Sequence, residues 1–243
     1  MKQIAIITTV PDVIHTIIDN SILRQAKDHD VVTFHVIDVR EFGKGNYRQI
    51  DDTPFGGGSG MVMMAEPLLM AIDFAHERIG DLENETHVLL PAPQGSIWNH
   101  DCALENTKDE NLIVICGRYK GIDQRVIDKY VTHEYSLGDF VVSNGELTAM
   151  IMVDSIVRLI PGVLNSIQSA LTDSFARDLL DHPHYTRPRE IDGMSVPEVL
   201  LGGNHKNIQS WRQEKSEERT REKRPDLWKK YRQSLVELET NNE

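Results

Sequence analysis

Short apolar runs alternate with helical stretches over residues 1–164. The runs typical of buried strands cover residues 3–9, 31–36, 87–90, 112–116 and 134–138. The helical stretches between them cover residues 11–28, 67–79, 101–106, 122–130 and 147–160. Apolar strands that alternate with helices indicate a parallel sheet covered by helices on both faces. We therefore predict an α/β fold for this part of the chain.

The composition and the periodicity both change after Leu164. Residues 165–176 are small and polar without a sustained period, which predicts a mobile interdomain linker. Helical stretches follow at 196–201, at 204–223 and from 225 onward. We therefore predict three parts: the α/β domain over residues 1–164, the linker, and a small all-helical C-terminal domain over residues 177–243.

Three glycine-bearing turns follow three of the apolar strands, at Pro91–Gly95, Gly117–Gly121 and Leu137–Gly145. Loops at the carboxyl ends of parallel strands meet at one edge of the sheet and bind ligands there. A buried helix follows the third turn and ends at Pro161-Gly162. This arrangement indicates a small polar ligand, such as a nucleoside, held by backbone groups at that edge.

The segment Phe55–Met61 (FGGGSGM) is rich in glycine but matches neither common nucleotide-binding motif. It is not a P-loop, because no Gly-Lys-Ser/Thr follows. It is not the dinucleotide fingerprint, because Met61 stands where the third glycine would fall and no strand leads into it. Two interpretations stay open: a flexible surface loop, and a loop whose missing side chains let a flat ligand approach the backbone.

The 243 residues carry a net charge of −12, which argues against a general nucleic-acid binder. The charge is uneven, because residues 206–232 hold ten Lys/Arg against five Asp/Glu. On charge alone, a solvated helix face explains that segment. Two cysteines are too few for a disulfide framework, and this favours a protein of the reducing cytoplasm. No apolar run is long enough for a membrane span, and the N-terminal run does not resemble a signal peptide.

A few polar side chains could carry chemistry, but each has a simpler explanation. Arg158 lies one turn after Asp154, so a surface ion pair accounts for it. Asp173 lies in the predicted linker, where capping a helix would explain it equally well. His182 and His184 flank a proline, but two histidines alone make a poor metal site. We therefore expect no metal ligands from the residue pattern.

Motifs spread over nearly the whole chain resemble those of the bacterial tRNA (guanine-N1)-methyltransferases of the SPOUT class. They occur in the family's order, and a coincidental match of so many segments is very rare. The matching segments are DDTPFGGGSGMVM (51–63), APQG (92–95), ICGRYKGIDQRV (115–126), SLGDFVVSNGELTAM (136–150), VRLIPGVL (157–164), DSF (173–175), HYTRP (184–188), VPEVLLGGNHKNIQSWR (196–212) and KRPDL (223–227).

The resemblance implies properties that composition and spacing do not. Family members are homodimers whose active sites use both chains, and their α/β domain ends in a deep trefoil knot that ordinary connection rules would reject. They transfer a methyl group from S-adenosylmethionine to N1 of guanine 37 in tRNA. The donor's cationic sulfonium would suit the acidic N-terminal domain, and the basic segment 206–232 would bind phosphates. Magnesium is implied by the resemblance alone.

The resemblance also implies roles for particular residues. Asp173 matches the family's catalytic base, and Arg158 matches the arginine that would stabilise charge on guanine O6. The donor-binding loops fall on Leu90, Pro91, Ala92, Pro93, Gln94, Gly117, Tyr119, Ser136, Leu137, Gly138, Phe140, Val142 and Gly145. Substrate contacts are expected at Gly58, Gly60, Lys120, Lys215, Arg219 and Arg224.

The chain departs from the family's motifs at several positions. Lys120 replaces the glutamate common in CGRYEG, so that recognition of the base could differ or Lys120 could bind a phosphate. Ala92, Asn144 and Thr148 also differ, which we expect to weaken donor affinity slightly. The alternatives are a related methyltransferase for another RNA base and a non-catalytic RNA-binding protein. The presence of both catalytic matches favours an active enzyme.

Overall fold

The computed structural model describes residues 1–81, 86–164 and 172–240, with side chains to residue 237. The chain divides into two compact units, Met1–Ile167 and Gln168–Glu243. No helix within these described ranges is both long and apolar enough to cross a lipid bilayer. Residues 165–171 of the predicted linker lie outside the described residues, so the mobile linker stays a prediction.

The first unit alternates strands and helices. Its strands are β1 (Lys2–Thr8), β2 (Val32–Asp38), β3 (Asp51–Asp52), β4 (Val62–Met63), β5 (His87–Ile97), β6 (Asn111–Ile115) and β7 (His133–Ser136). Its helices are α1 (Pro11–Ile18), α2 (Ser21–Asp28), α3 (Ala65–Ile79), α4 (His100–Glu105), α5 (Gln124–Tyr130) and α6 (Gly145–Val157), with a 3₁₀ turn at Val39–Phe42.

Five of these strands form one parallel sheet in the order β2-β1-β6-β5-β7. Successive residues of β1 point to opposite faces of it. Ile4 and Ile6 belong to the core formed with α1, α2 and α6, whereas Ala5 and Ile7 belong to the core formed with α3 and α5. Burial on both faces explains why the strands are continuous apolar runs. The prediction of a parallel sheet between helical layers is confirmed.

Two elements of this unit differ from the predicted ones. The predicted helix 11–28 is two helices, because Asn20 between α1 and α2 is extended and Ser21, the first residue of α2, has a φ of +53°. The strand predicted at 87–90 continues as β5 to Ile97. Its pairing with β7 is interrupted between Pro91 and Ser96, where the sequence predicts a turn.

The second unit is not all-helical, so that prediction is wrong. It contains α7 (His205–Lys223), α8 (Pro225–Thr240) and an antiparallel hairpin of β8 (Glu190–Ile191) and β9 (Met194–Ser195). Asp192 and Gly193 join the hairpin strands with φ values of +52° and +75°. Positive φ at both central positions is the geometry of a type I′ turn, which an Asp-Gly pair favours. Of the predicted helix 196–201, only a 3₁₀ turn at Glu198–Leu200 is present.

Lys2 is a buried cation at the start of β1. Its Nζ donates to the carbonyl oxygen of Asn106 at 2.8 Å and to that of Asp109. Burial lowers the pKa of Lys2 from 10.5 to about 8, and the negative charge of Asp109 offsets part of this effect. The ammonium form is therefore less favourable in the folded protein than in the unfolded chain.

Candidate functional site

A cavity of about 510 Å³ lies at the carboxyl ends of β5, β6 and β7, which are adjacent in the sheet. Its volume is in the range of small-molecule and cofactor sites. Segments 90–94, 117–122 and 135–145 supply most of its wall. All thirteen residues that the resemblance assigns to the donor lie in this wall, together with Lys120. The structure therefore brings the three glycine-bearing turns together at one edge, as the spacing indicates.

A backbone contact holds two of these segments together. The N–H of Gly145, at the start of α6, donates to the carbonyl oxygen of Gly117 at 2.8 Å. A Cβ at Gly145 would lie 2.7 Å from Gly117 N and 2.8 Å from Gly117 O. Both atoms belong to the backbone and cannot rotate away as a side chain would. Glycine at position 145 is thus required for the close approach of the two loops that shape the cavity.

The charge of the cavity wall differs from the sequence-based expectation. Among the described residues that line the cavity, the charged ones are Arg118 and Lys120, and none is an aspartate or glutamate. Arg118 Nη1 donates to Thr9 Oγ1 at 3.0 Å, and its guanidinium carbon lies 5.9 Å from the ring centre of Tyr119. Tyr119 itself has a φ of +61°, which is uncommon for any residue other than glycine and especially for a bulky one. The acidic character of the first unit therefore does not extend to this wall.

The glycine-rich segment is attached to the cavity through Lys120. The Lys120 N–H donates to Met61 O at 3.0 Å, and the Met63 N–H donates to Gly121 O at 3.0 Å. A Cβ at Gly60 would lie 3.0 Å from Lys120 Cγ, so the lysine stem passes close over this glycine. Gly58 has open space around it, and neither Gly58 nor Gly60 is among the described residues of the wall. Lys120 is thus the link between this segment and the cavity.

Polar groups are buried beneath the cavity at the start of α6. Glu146 is fully buried, and Thr8 Oγ1 donates to its Oε1 at 2.7 Å. Among the described groups, Glu146 Oε2 and the Oδ1 of Asn144 have no hydrogen-bond partner. Burial, and then the nearby Glu146, raise the pKa of the Cys116 thiol. Cys116 therefore stays protonated and belongs to the core, whereas Asn144 presents an unused acceptor in a residue of the wall.

The two residues matched to catalysis belong to different units. Arg158 follows α6 in the first unit, and its N–H donates to Asp154 O at 3.1 Å. Burial raises the pKa of Asp154, and the positive charge of Arg158 offsets part of that increase. Asp173 lies in a turn of the second unit, where its carbonyl oxygen accepts from the Ala176 N–H at 3.3 Å. Neither Arg158 nor Asp173 is among the described residues that line the cavity.

The basic residues assigned to the substrate have partners within the second unit. Lys215 pairs with Glu218 one turn along α7. Arg219 Nη1 donates to Asp181 O at 2.9 Å. Arg224 donates to both carboxylate oxygens of Asp226 at 2.9 and 2.6 Å. This pairing lowers the pKa of Asp226 to about 2.

Ten further described residues line the cavity without having been assigned to the donor one by one, although Asn144 and Thr148 were expected to influence donor affinity. They are Arg118, Gly121, Ile122, Gln124, Ile127, Tyr135, Val141, Ser143, Asn144 and Thr148. Some of them carried a usable signal, because Arg118 and Gly121 lie inside the predicted turn Gly117–Gly121. Ile122 and Ile127 carried none, because apolar residues at helical spacing indicate core positions.

Comparisons with known proteins identify the family of the chain. The profile of the family described as tRNA (Guanine-1)-methyltransferase TrmD matches residues 1–230. The tRNA (guanine-N(1)-)-methyltransferase of Clostridioides difficile (strain 630) is 44% identical over 225 residues, covering 93% of this chain and 96% of that protein. That of Burkholderia ambifaria (strain MC40-6) is 46% identical, covering 93% and 86%. That of Listeria monocytogenes (strain EGD-e) is 43% identical, covering 94% and 93%. The chain therefore belongs to the tRNA (guanine-1)-methyltransferase family.

Proposed function

We propose that this protein transfers a methyl group from S-adenosylmethionine to N1 of guanine 37 in tRNA. The observation that carries the proposal is the cavity at the carboxyl edge of the sheet, because its wall contains every residue that the family's motifs assign to the donor. The relatives described above are named for methylation of guanine N1 in tRNA. Such a reaction would take place in the cytoplasm, where tRNA is available.

The residues of the cavity fit the donor. The buried Oδ1 of Asn144 has no partner among the described groups and could accept from the adenine amino group or a ribose hydroxyl. The cationic side chain of Arg118 suits the carboxylate of the donor's methionine part. When bound, S-adenosylmethionine supplies a methyl group activated by its sulfonium charge.

We assign the chemistry at the guanine to Asp173 and Arg158. N1 of guanine carries a proton that must leave before or during methyl transfer, and we assign its removal to the carboxylate of Asp173 as general base. Negative charge then develops on O6, and the guanidinium of Arg158 stabilises that charge. Gly58, Gly60 and Lys120 are assigned to positioning the guanine. Holding it in line for attack on the methyl group lowers the entropic part of the barrier.

A homodimer with shared active sites is part of the proposal. The loop before α6 and α6 itself expose large apolar side chains of the first unit: Phe140, Val141, Leu147 and Ile151. Several exposed apolar side chains in neighbouring elements beside a ligand cavity favour an interface, and a second copy of the chain would cover them. The trefoil knot, implied by the resemblance, belongs to the same proposal and concerns the C-terminal part of the first unit.

The basic residues of α7 and the position after it are assigned to tRNA. Lys215, Arg219 and Arg224 lie along the segment with the chain's excess of Lys/Arg, and contacts with phosphates would make tRNA binding dependent on salt.

The magnesium dependence that the resemblance implies is measured by adding a chelator to the methyl-transfer assay.

The test is methyl incorporation from labelled S-adenosylmethionine into two tRNA transcripts. One transcript has guanine at positions 36 and 37, and the other has adenine at position 37. We expect label in the first transcript alone, at N1 of guanine 37. Label in both transcripts would contradict guanine 37 as the target and would indicate that Lys120, in place of the family's glutamate, changes base recognition. No label in either, with tRNA still bound, would support the non-catalytic RNA-binding alternative.

A further inference from the structure

A cluster of one carboxylate and two imidazoles lies in the second unit, outside the cavity. Asp181, His182 and His184 each offer one ligand atom, and these atoms all lie within 4.8 Å of one another. We propose that this cluster binds a divalent transition-metal ion, for which Zn²⁺ is the best-matched probe. From the sequence, only the two histidines are candidate ligands, whereas the structure places Asp181 beside them as a third.

Asp181 is held in position from three sides. Its N–H donates to Ser174 Oγ at 2.9 Å, and its carbonyl oxygen accepts from Arg219 Nη1 at 2.9 Å. Its Oδ1 accepts from the His182 N–H at 2.7 Å. The carboxylate is therefore oriented before any ion arrives, which lowers the entropic cost of binding.

The hydrogen bonding of His182 leaves one ring nitrogen available as a ligand. Its Nδ1 lies 3.0 Å from Pro183 O, and a carbonyl oxygen can only accept, so Nδ1 carries the proton. The lone pair is then on Nε2, which lies 3.6 Å from Asp181 Oδ1. Metal-binding histidines commonly donate their other ring N–H to a backbone carbonyl in this way.

The distances within the cluster lie on either side of the spacing between ligands of one ion, and the shortest is a hydrogen bond from His184 Nε2–H to the Asp181 carboxylate, whose proton a bound ion would displace. His184 Nε2 lies 2.8 Å from Asp181 Oδ2, and His182 Nε2 lies 3.6 Å from Asp181 Oδ1. Zinc bonds of about 2.0–2.2 Å place the ligands of a tetrahedral ion roughly 3.4 Å apart. The ring centres of His182 and His184 are 4.4 Å apart, so only small rotations are needed for both to face a common ion.

The surroundings leave room for a further ligand. His182 packs edge-on against Trp211 with ring centres 6.1 Å apart, whereas the side chain of His184 is 67% exposed. Three protein ligands with an open solvent side leave a coordination position for water. Two imidazoles with one carboxylate favour zinc, cobalt or nickel over magnesium, which prefers oxygen ligands. The site is therefore distinct from the magnesium dependence considered above.

The experiment is a titration of the untagged full-length protein with Zn²⁺ by calorimetry and with Co²⁺ by visible absorption. We expect one ion per chain, and Co²⁺ bands of a nitrogen and oxygen ligand set without thiolate charge transfer. His184→Ala should weaken binding at least ten-fold, and His182→Gln should do the same. Circular dichroism checks that both variants remain folded.

The chain contains a matched control for the variants. His87 Nδ1 lies 3.0 Å from Asp109 Oδ2 and its ring centre lies 4.7 Å from that of His133, but these three described residues do not bring one ligand atom each within 4.8 Å of one another as the proposed site does. His87→Ala should leave metal binding unchanged. The proposal is overturned if no ion binds, if binding depends on His87 instead of His184, or if a thiolate band assigns the ion to a cysteine.

Discussion

Replacing Gly145 by alanine tests whether the contact between two loops shapes the cavity. The added Cβ would lie 2.7 and 2.8 Å from the backbone N and O of Gly117, closer than Cβ atoms are found in proteins. The loops must move apart, because neither atom belongs to a side chain that could rotate. The movement would also lengthen the 2.8 Å hydrogen bond from Gly145 N to Gly117 O.

The size of the effect follows from these two contributions. Forcing an extra carbon into a packed site costs about 1–3 kcal/mol. A weakened backbone hydrogen bond adds about 1 kcal/mol. We therefore expect Gly145→Ala to lower the free energy of unfolding by about 2–4 kcal/mol. For a chain of this length, the melting temperature should fall by roughly 5–15 °C. Because both loops line the cavity, donor affinity should fall at least ten-fold.

The assays are urea unfolding followed by circular dichroism, and calorimetric titration with S-adenosylmethionine. Gly117→Ala is the folding control, because its Cβ would meet Ile122 Cγ2 and Leu90 Cδ1 at an ordinary 3.9 Å. It should unfold within about 0.5 kcal/mol of the wild type. Gly202→Ala, in the second unit, controls for both measurements. The reasoning is refuted if Gly145→Ala unfolds like Gly117→Ala and binds the donor like the wild type.

Three further predictions concern the base, the tRNA and the buried lysine. Asp173→Ala should abolish methyl transfer while donor binding stays near normal, and a variant that keeps most of its rate would exclude the general-base role. A triple variant that neutralises Lys215, Arg219 and Arg224 should bind tRNA more weakly, and the slope of log K against log salt should fall in magnitude by about 2–3. A control triple variant on the first unit, at Arg24, Lys27 and Arg40, should change neither the affinity nor the slope. Because the folded pKa of Lys2 is about 8 and the unfolded value is 10.5, the unfolded chain binds more protons between these values. The free energy of unfolding should therefore rise by roughly 2–3 kcal/mol relative to Lys2→Met between about pH 7.5 and 10, and equal pH profiles would contradict the burial argument.

The elements that depend on local pattern could be read from the chain. The apolar runs at 112–116 and 3–9 correspond to β6 and β1, because strands buried on both faces are apolar at their central positions. A parallel sheet places the ends of such strands at one edge, and the loops there line the cavity. The Asp192-Gly193 pair is a readable signal for a hairpin, and the prediction of an all-helical second domain left it out.

The residue roles needed more than pattern. Nothing in periodicity separates Asp173 or Arg158 from a cap or a surface pair, so their assignment depends on the resemblance. The same is true of the donor-binding residues, since backbone groups that bind a ligand leave little trace in side-chain spacing.

The α/β alternation, the buried strands and the edge at which the loops gather follow from the periodicity of apolar residues along local stretches of the chain. The atoms that meet across that edge are set by tertiary packing. Gly145 approaches Gly117 from 28 residues away, the stem of Lys120 crosses Gly60, and Arg219 of α7 donates to the carbonyl oxygen of Asp181. Such contacts depend on distances between separate segments, and these distances are set when the chain packs rather than by the spacing of residues along it.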